Sequence, residues 1–285
     1  MPGRRTWTAW TARIGRGWPH LILLPAVALL LLPLVLLVST SLRPLGKPLS
    51  REPEWLPRPA AWGNYPAVFE VIDLWRFAAN SALVVAAAVP LTIVVASWAG
   101  FAMAQLPRTW RLRLTLLSFA ALMVPFTAVW LTRFLLFKEV GLLDSRLALI
   151  VPALGGTSPF YVLLFLWTFL RIPPDMTDAA RLDGAGPLRV WAGIALPLAR
   201  PTVVAVGILA FVAYWSNFVD PLLLIRSPER MTLPYALSLL HQLDRTNWPL
   251  LMAGTALVTA PVMVVFLLAQ RFFLQPFRDT GWLGR

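Results

Sequence analysis

The sequence contains no cysteine, only two histidines (His20 and His241) and only two lysines (Lys47 and Lys138). The first absence excludes disulfides and thiolate metal sites. The second leaves two imidazoles far apart in sequence, a poor start for a metal cluster. Charge is also scarce. Charged residues make up 13% of the chain, whereas a soluble domain carries about 25%. What fills the gap is apolar: 58% of the residues are hydrophobic and the mean hydropathy is +0.70. The apolar residues come in long blocks, and blocks of about 20 are bilayer-spanning helix candidates. The net charge of +12 would suggest nucleic acid in a soluble protein. Here no basic stripe is separable from the apolar blocks, and the charge marks the cytoplasmic rim of a membrane protein.

The hydrophobic pattern predicts an all-α membrane protein with six spans: Pro19–Leu42, Ala78–Leu106, Leu112–Phe137, Leu147–Leu170, Pro201–Ile225 and Leu250–Leu274. The first has arginines ahead of it, as a signal peptide does. Its apolar core is too long and no small-x-small cleavage site follows, so it is expected to stay as an anchor. Six spans place both termini on one side. That side would hold Arg4, Arg5, Arg13 and Arg16, then Arg108, Arg111 and Arg113, then Arg171, Arg181, Arg189 and Arg200, then Arg271, Arg278 and Arg285. Its acids would be only Asp175, Asp178, Asp183 and Asp279. Positive residues favour the cytoplasm, so both tails are expected there. The organisation is then a cytoplasmic tail over 1–18, a six-span domain over 19–274 with a cytoplasmic loop over 172–200, and a second tail over 275–285. The long external loop 43–77 carries Trp55, Trp62, Tyr65 and Trp75, expected at the membrane interface or against a partner. Prolines inside spans, such as Pro90, Pro125 and Pro261, free backbone carbonyls; they bend helices or let the bundle flex.

The loop reads DAARLDGAGPLRVWAGIALP over residues 178–197. Pro173-Pro174 stops the fourth span and suits the first turn of a new helix. Asp175 and Asp178 sit near that helix's N-terminus, where negative charge is favourable. Gly184 ends it as a C-terminal cap, in a conformation that a side chain would disfavour. Pro187 opens a second short helix to Leu196-Pro197. The product is a helix–turn–helix on the cytoplasmic face. Ala179 and Ala180 let a partner approach closely.

Asp178-Ala179-Ala180, then Gly184, then Ile194-Ala195-Leu196-Pro197 resemble the EAA loop of permease subunits of bacterial ABC importers, with both spacings intact and Asp in place of Glu at 178. Asn80-Ser81, Gly141-Leu142-Leu143-Asp144, Arg181-Leu182-Asp183-Gly184-Ala185, Pro221-Leu222, Thr232-Leu233-Pro234 and Gln270-Arg271-Phe272-Phe273 resemble the carbohydrate-type branch, in its maltose-permease-like second subunit. The likeness covers roughly residues 20–280. Two places depart from it. The fifth span usually has Trp-Asn-acidic-Phe and here has Trp215-Ser216-Asn217-Phe218; the tail has Gln275-Pro276-Phe277-Arg278 where glycines are usual.

The resemblance implies a transport subunit and not an enzyme. Its partners would be a second permease, an ABC ATPase dimer and an extracytoplasmic solute-binding protein. The loop would seat in a groove of the ATPase through Asp178, Ala179, Ala180, Arg181, Asp183, Gly184, Ile194, Leu196 and Pro197. The cargo would be a sugar. No cofactor is expected on this chain. Gly46-Lys47-Pro48 lacks the upstream glycine and following Ser/Thr of a phosphate loop, so ATP and magnesium belong to the partner.

Polar groups inside spans are candidates for the cargo path. Ser216, Asn217 and Asp220 form one cluster, with Asn217 and Asp220 three apart, and Thr255 and Thr259 form a second. Hydrogen bonds between spans are the structural reading of the same residues. Arg133 is expected to snorkel or face a cavity. Two other classes remain open. A secondary carrier or channel would show intramembrane carboxylates and paired repeats, and only Asp220 lies well within a span. A membrane enzyme would show HExxH or paired carboxylates within a span, and neither occurs. Within the importer class a polyol or glycerol phosphate ester is the alternative cargo.

Overall fold

The computed structural model describes residues 7–45 and 54–274, with side chains from 21 to 270. Arg4, Arg5, Gly46-Lys47-Pro48 and the tail from Gln275 lie outside the described residues. The described chain is helical and holds no β-strand. It divides into two units. One runs to Val71 and includes His241–Leu257; the other runs Ile72–Leu240 and resumes at Val258.

In the first unit, α1 (Trp7–Ser41) extends well upstream of the span expected from Pro19. Its apolar stretch Leu21–Ser41 is long enough to cross a bilayer. The side chains of Leu21, Leu24, Leu29 and Leu30 stand exposed, a state that hydrocarbon tolerates and water does not. The helix end is tied down locally. Asn64, buried at the start of α2 (Asn64–Val71), donates through Nδ2 to the Ser41 and Arg43 carbonyls, both at 2.7 Å. These are carbonyls that a helix C-terminus leaves without intrahelical partners. Tyr65 and Ser41 share a hydroxyl–hydroxyl bond of 2.8 Å. Trp55 and Trp62 are exposed.

In the second unit, α3 (Leu74–Gln105) crosses without a break despite Pro90. Next come α4 (Arg108–Met123), α5 (Trp130–Glu139), α6 (Arg146–Ile150) and α7 (Pro159–Phe169). The loop helices are α8 (Pro174–Leu182), α9 (Pro187–Val190) and α10 (Leu196–Leu198), the last two joined by a π turn over Trp191–Ala195. Beyond them lie α11 (Arg200–Trp215), α12 (Val219–Leu224) and α13 (Leu233–Leu243). The last helix is α14 (Trp248–Leu274).

The core lies where α3 crosses α7 and α11. Small residues on α3 let the backbones close in: Ala88, Ala96 and Ser97 are fully buried. At Gly100 a Cβ would stand 2.8 Å from Phe165 Cβ and 2.9 Å from the Leu166 amide nitrogen. Only a hydrogen fits there, which is how membrane helices pack without a hydrophobic drive between them. Phe101, Phe165 and Phe169 then stack around the crossing.

Three of the six expected spans are interrupted. The third bends by 87° between Arg108–Met123 and Phe126–Glu139. The fourth begins as α6 and a 3-10 turn, then breaks at Gly156 and Thr157, both with positive φ, before α7. The fifth ends as a helix at Trp215; Ser216–Phe218 is not helical and α12 starts anew. Among the described residues, four helices are long and apolar enough to cross a membrane, or up to six if each bent pair counts as one span.

Candidate functional site

The loop between α7 and α11 forms as its sequence requires. Pro173 and Pro174 open α8, and Gly184 closes it at φ +80°. The Gly184 amide donates to the Arg181 carbonyl at 3.0 Å and the Ala185 amide to the Ala180 carbonyl at 2.9 Å. That paired pattern is a Schellman cap. A Cβ on Gly184 would meet nothing within 4 Å, so the backbone angle and not space calls for glycine. The loop is anchored by Val190, Trp191 and Ala195, all buried, with Trp191 edge-on to Trp98 at 5.1 Å.

Asp178, Ala179, Arg181, Asp183, Gly184 and Pro197 lie exposed, and Ala180, Ile194 and Leu196 are half-buried. Asp178 accepts from Arg181 at 3.1 Å. The other arm of the Arg181 guanidinium reaches Gln105 at the end of α3, at 2.5 Å. A cavity of about 240 Å³ opens behind α8, lined by Phe101, Gln105, Arg111, Thr177, Asp178 and Arg181 among others. Gln105 was not legible as a site residue, because its partner is 76 positions away.

The second cluster is assembled differently from its expectation. Asn217 sits in the break, not on a helical face with Asp220. Its Oδ1 accepts from the Asp220 amide at 3.1 Å and its Nδ2 donates to Asp220 Oδ2 at 2.9 Å. Arg133 does not snorkel. Its guanidinium donates to Asp220 Oδ1, forming an ion pair with exposures of 16% and 6%, and it covers the Phe126 ring at 5.0 Å. Both Asp220 oxygens are therefore engaged. Next to the cluster, Tyr214 shares a hydroxyl bond with Thr157 at 2.8 Å and Thr157 one with Thr92 at 2.5 Å. Ser216 is exposed. Thr255 donates to the Leu251 carbonyl of its own helix at 2.8 Å, and Thr259 is half-buried.

A third cluster lies at the opposite end of α3 from the loop. Asn80 Nδ2 donates to the Glu229 and Met231 carbonyls, both at 2.8 Å, and Ser81 Oγ accepts from the Leu233 amide at 2.8 Å. Asp144 accepts from the Arg226 amide at 3.0 Å, the Ser227 amide at 2.9 Å and the Ser227 hydroxyl at 2.6 Å, and pairs with Arg230 at 3.1 Å. The Ser227 hydroxyl bond leads in lowering the Asp144 pKa to about 2. Short motifs that lie up to 152 residues apart in the chain thus hold one loop, residues 225–233.

Ile72–Leu240 thus combines interrupted helices with an exposed, glycine-capped helical loop. The chain belongs to the binding-protein-dependent transport system inner membrane component family, whose model matches residues 88–279. It is similar to the arabinooligosaccharides transport system permease protein AraQ of Halalkalibacterium halodurans, at 31% identity over 78% of this chain and 79% of that one. It is similar to the lactose transport system permease protein LacG of Rhizobium radiobacter, at 29% identity over 79% and 80%. In fold it resembles a chain of a bacterial ABC transporter that imports the acidic polysaccharide alginate, with a TM-score of 0.73 and 20% identity over 96% of this chain and all of that one. The protein is therefore a multi-pass component of the inner membrane.

Proposed function

We propose that this permease forms, with a second permease, the translocation path for a mono-, di- or oligosaccharide. ATP hydrolysis on separate ATPase subunits drives it, and an extracytoplasmic binding protein delivers the cargo. Both termini and the α8 loop face the cytoplasm. The observation that carries the reading is the α8 loop: a capped helix, exposed at Asp178, Ala179 and Gly184, on a buried tryptophan footing. A helix presented this way fits a groove on a partner, with the alanines allowing close approach. Closure of the ATPase dimer would push α8 and rock the spans, as alternating access requires.

A neutral sugar suits the hydroxyl and amide groups of Thr92, Thr157, Tyr214 and Asn217. A glycerol phosphate ester would want an unpaired cation, and Arg133 is already matched by Asp220. The sugar-permease names of the relatives support the same choice.

The test is extraction of the tagged protein from its own host in mild detergent, with mass spectrometry of what accompanies it. We expect a second permease, an ATPase and a sugar-binding protein. Because the chain has no cysteine, Asp178→Cys supplies a single crosslinking handle, expected to capture the ATPase. Recovery of this chain alone, even after crosslinking, overturns the reading and favours a carrier or channel.

A further inference from the structure

Arg133 on α5 and Asp220 on α12 are paired across two elements that each follow an interruption. The α5 segment comes after the 87° bend of the third span. The six-residue α12 comes after the non-helical Ser216–Phe218. The pair is mostly enclosed, with Asn217 holding the second Asp220 oxygen and Phe126 against the guanidinium. Tyr214, just before the break, is bonded to Thr157 at the break of the fourth span. Asp220, Asn217, Tyr214 and Thr157 therefore gather at the interruptions of the fourth and fifth spans.

A buried ion pair holds two elements together no better than apolar residues would, while removing one partner strands a charge. In a membrane that stranding is especially unfavourable, so such residues mark moving or functional parts. The pair is also placed to be moved. Between the loop helix Pro187–Leu198 and the break stands α11, which meets that loop helix at 84°. Its 16 residues form one unbroken rod from Arg200 to Trp215. A displacement of the loop is carried along α11 to the break, where α12 can swing without unwinding any helix.

We infer that Arg133 and Asp220 are positioning residues of the transport cycle. The pair holds α12 against α5 in one facing state of the path and parts in the other, so that its making and breaking is tied to the movement of the loop. This rests on the importer reading.

The test uses the whole complex in proteoliposomes. Radiolabelled lactose, arabinotriose and a uronate trisaccharide are offered, and the one the wild type takes up best is carried forward. Wild-type complex without ATP-driven uptake overturns the importer reading and this inference with it. Given uptake, Arg133→Ala and Asp220→Asn are expected to lower it at least tenfold, while cargo-free ATP hydrolysis per complex rises at least threefold. The charge exchange Arg133→Asp with Asp220→Arg restores both to within threefold of wild type. The neutral pair Arg133→Gln with Asp220→Asn assembles without a stranded charge and still uncouples hydrolysis from uptake. A passive brace behaves otherwise: uptake and hydrolysis fall together with the amount of complex, or neither changes. Either pattern overturns the inference, as does failure of the exchange to restore coupling.

Discussion

At Gly184 the demand on the residue is conformational, and this separates two roles that a mutation ordinarily confounds. The position needs φ +80°, yet a Cβ there meets open space. A left-handed conformation costs an L-residue about 1–2 kcal/mol, less for Asn and Asp. Gly184→Ala is therefore expected to weaken the cap by about 1 kcal/mol and to leave most uptake. Gly184→Asp suits the backbone better but adds a carboxylate beside Asp183 on the exposed face. It is expected to abolish uptake while membrane insertion stays at the wild-type level, measured by immunoblot and sugar uptake on the same cells. Normal uptake by Gly184→Asp refutes docking at this face. Gly184 was legible in the sequence because a cap is local chemistry, set by residues within one turn. Arg133 was not. Its partner lies 87 positions away, and an arginine within an apolar run carries no sign of whether it reaches water or a carboxylate.

Elements were legible where a run of apolar side chains was enough to define them, and illegible where the backbone changes course inside such a run. Pro90 and Pro261 lie within continuous α3 and α14, whereas the fifth span breaks at Ser216–Phe218 with no proline in the break. Hydropathy is blind to that difference, since both sides of each break are apolar. The clasp between the α5–α6 connection and the 225–233 loop is a second such case: Asp144 was legible as part of a motif, but not as a carboxylate accepting four hydrogen bonds. Those bonds favour the ionised carboxylate, whose pKa falls from 3.8 to about 2. The folded state therefore binds fewer protons than the opened one. The clasp's contribution is complete above about pH 4 and is lost as pH falls toward 2. Thermal scans of wild type and Asp144→Asn should differ at pH 6 and converge stepwise below pH 4. A difference that holds constant down to pH 2.5 would show that the carboxylate's charge is not what holds the loop.

At the scale of the whole molecule, the basic residues argue for one orientation, and the missing cysteines make it measurable. The motifs sort into two layers within the second unit. Asn80, Asp144 and the 225–233 loop lie at the N-terminal end of α3; the α8 loop lies at its C-terminal end, where Arg181 reaches Gln105. On the arginine count the α8 layer is expected in the cytoplasm, since positive residues near span ends resist translocation. The two layers should then answer oppositely to a reagent that cannot cross the membrane. Ala179→Cys and Glu139→Cys each introduce a single thiol, both at exposed positions. In right-side-out vesicles, an impermeant maleimide is expected to label Glu139→Cys at once and Ala179→Cys only after permeabilisation. The reverse pattern would put the α8 loop outside, where no ATP-driven partner can reach it. Labelling of both from outside would mean that Arg146–Phe169 does not cross, because an odd number of crossings must separate Glu139 from Ala179.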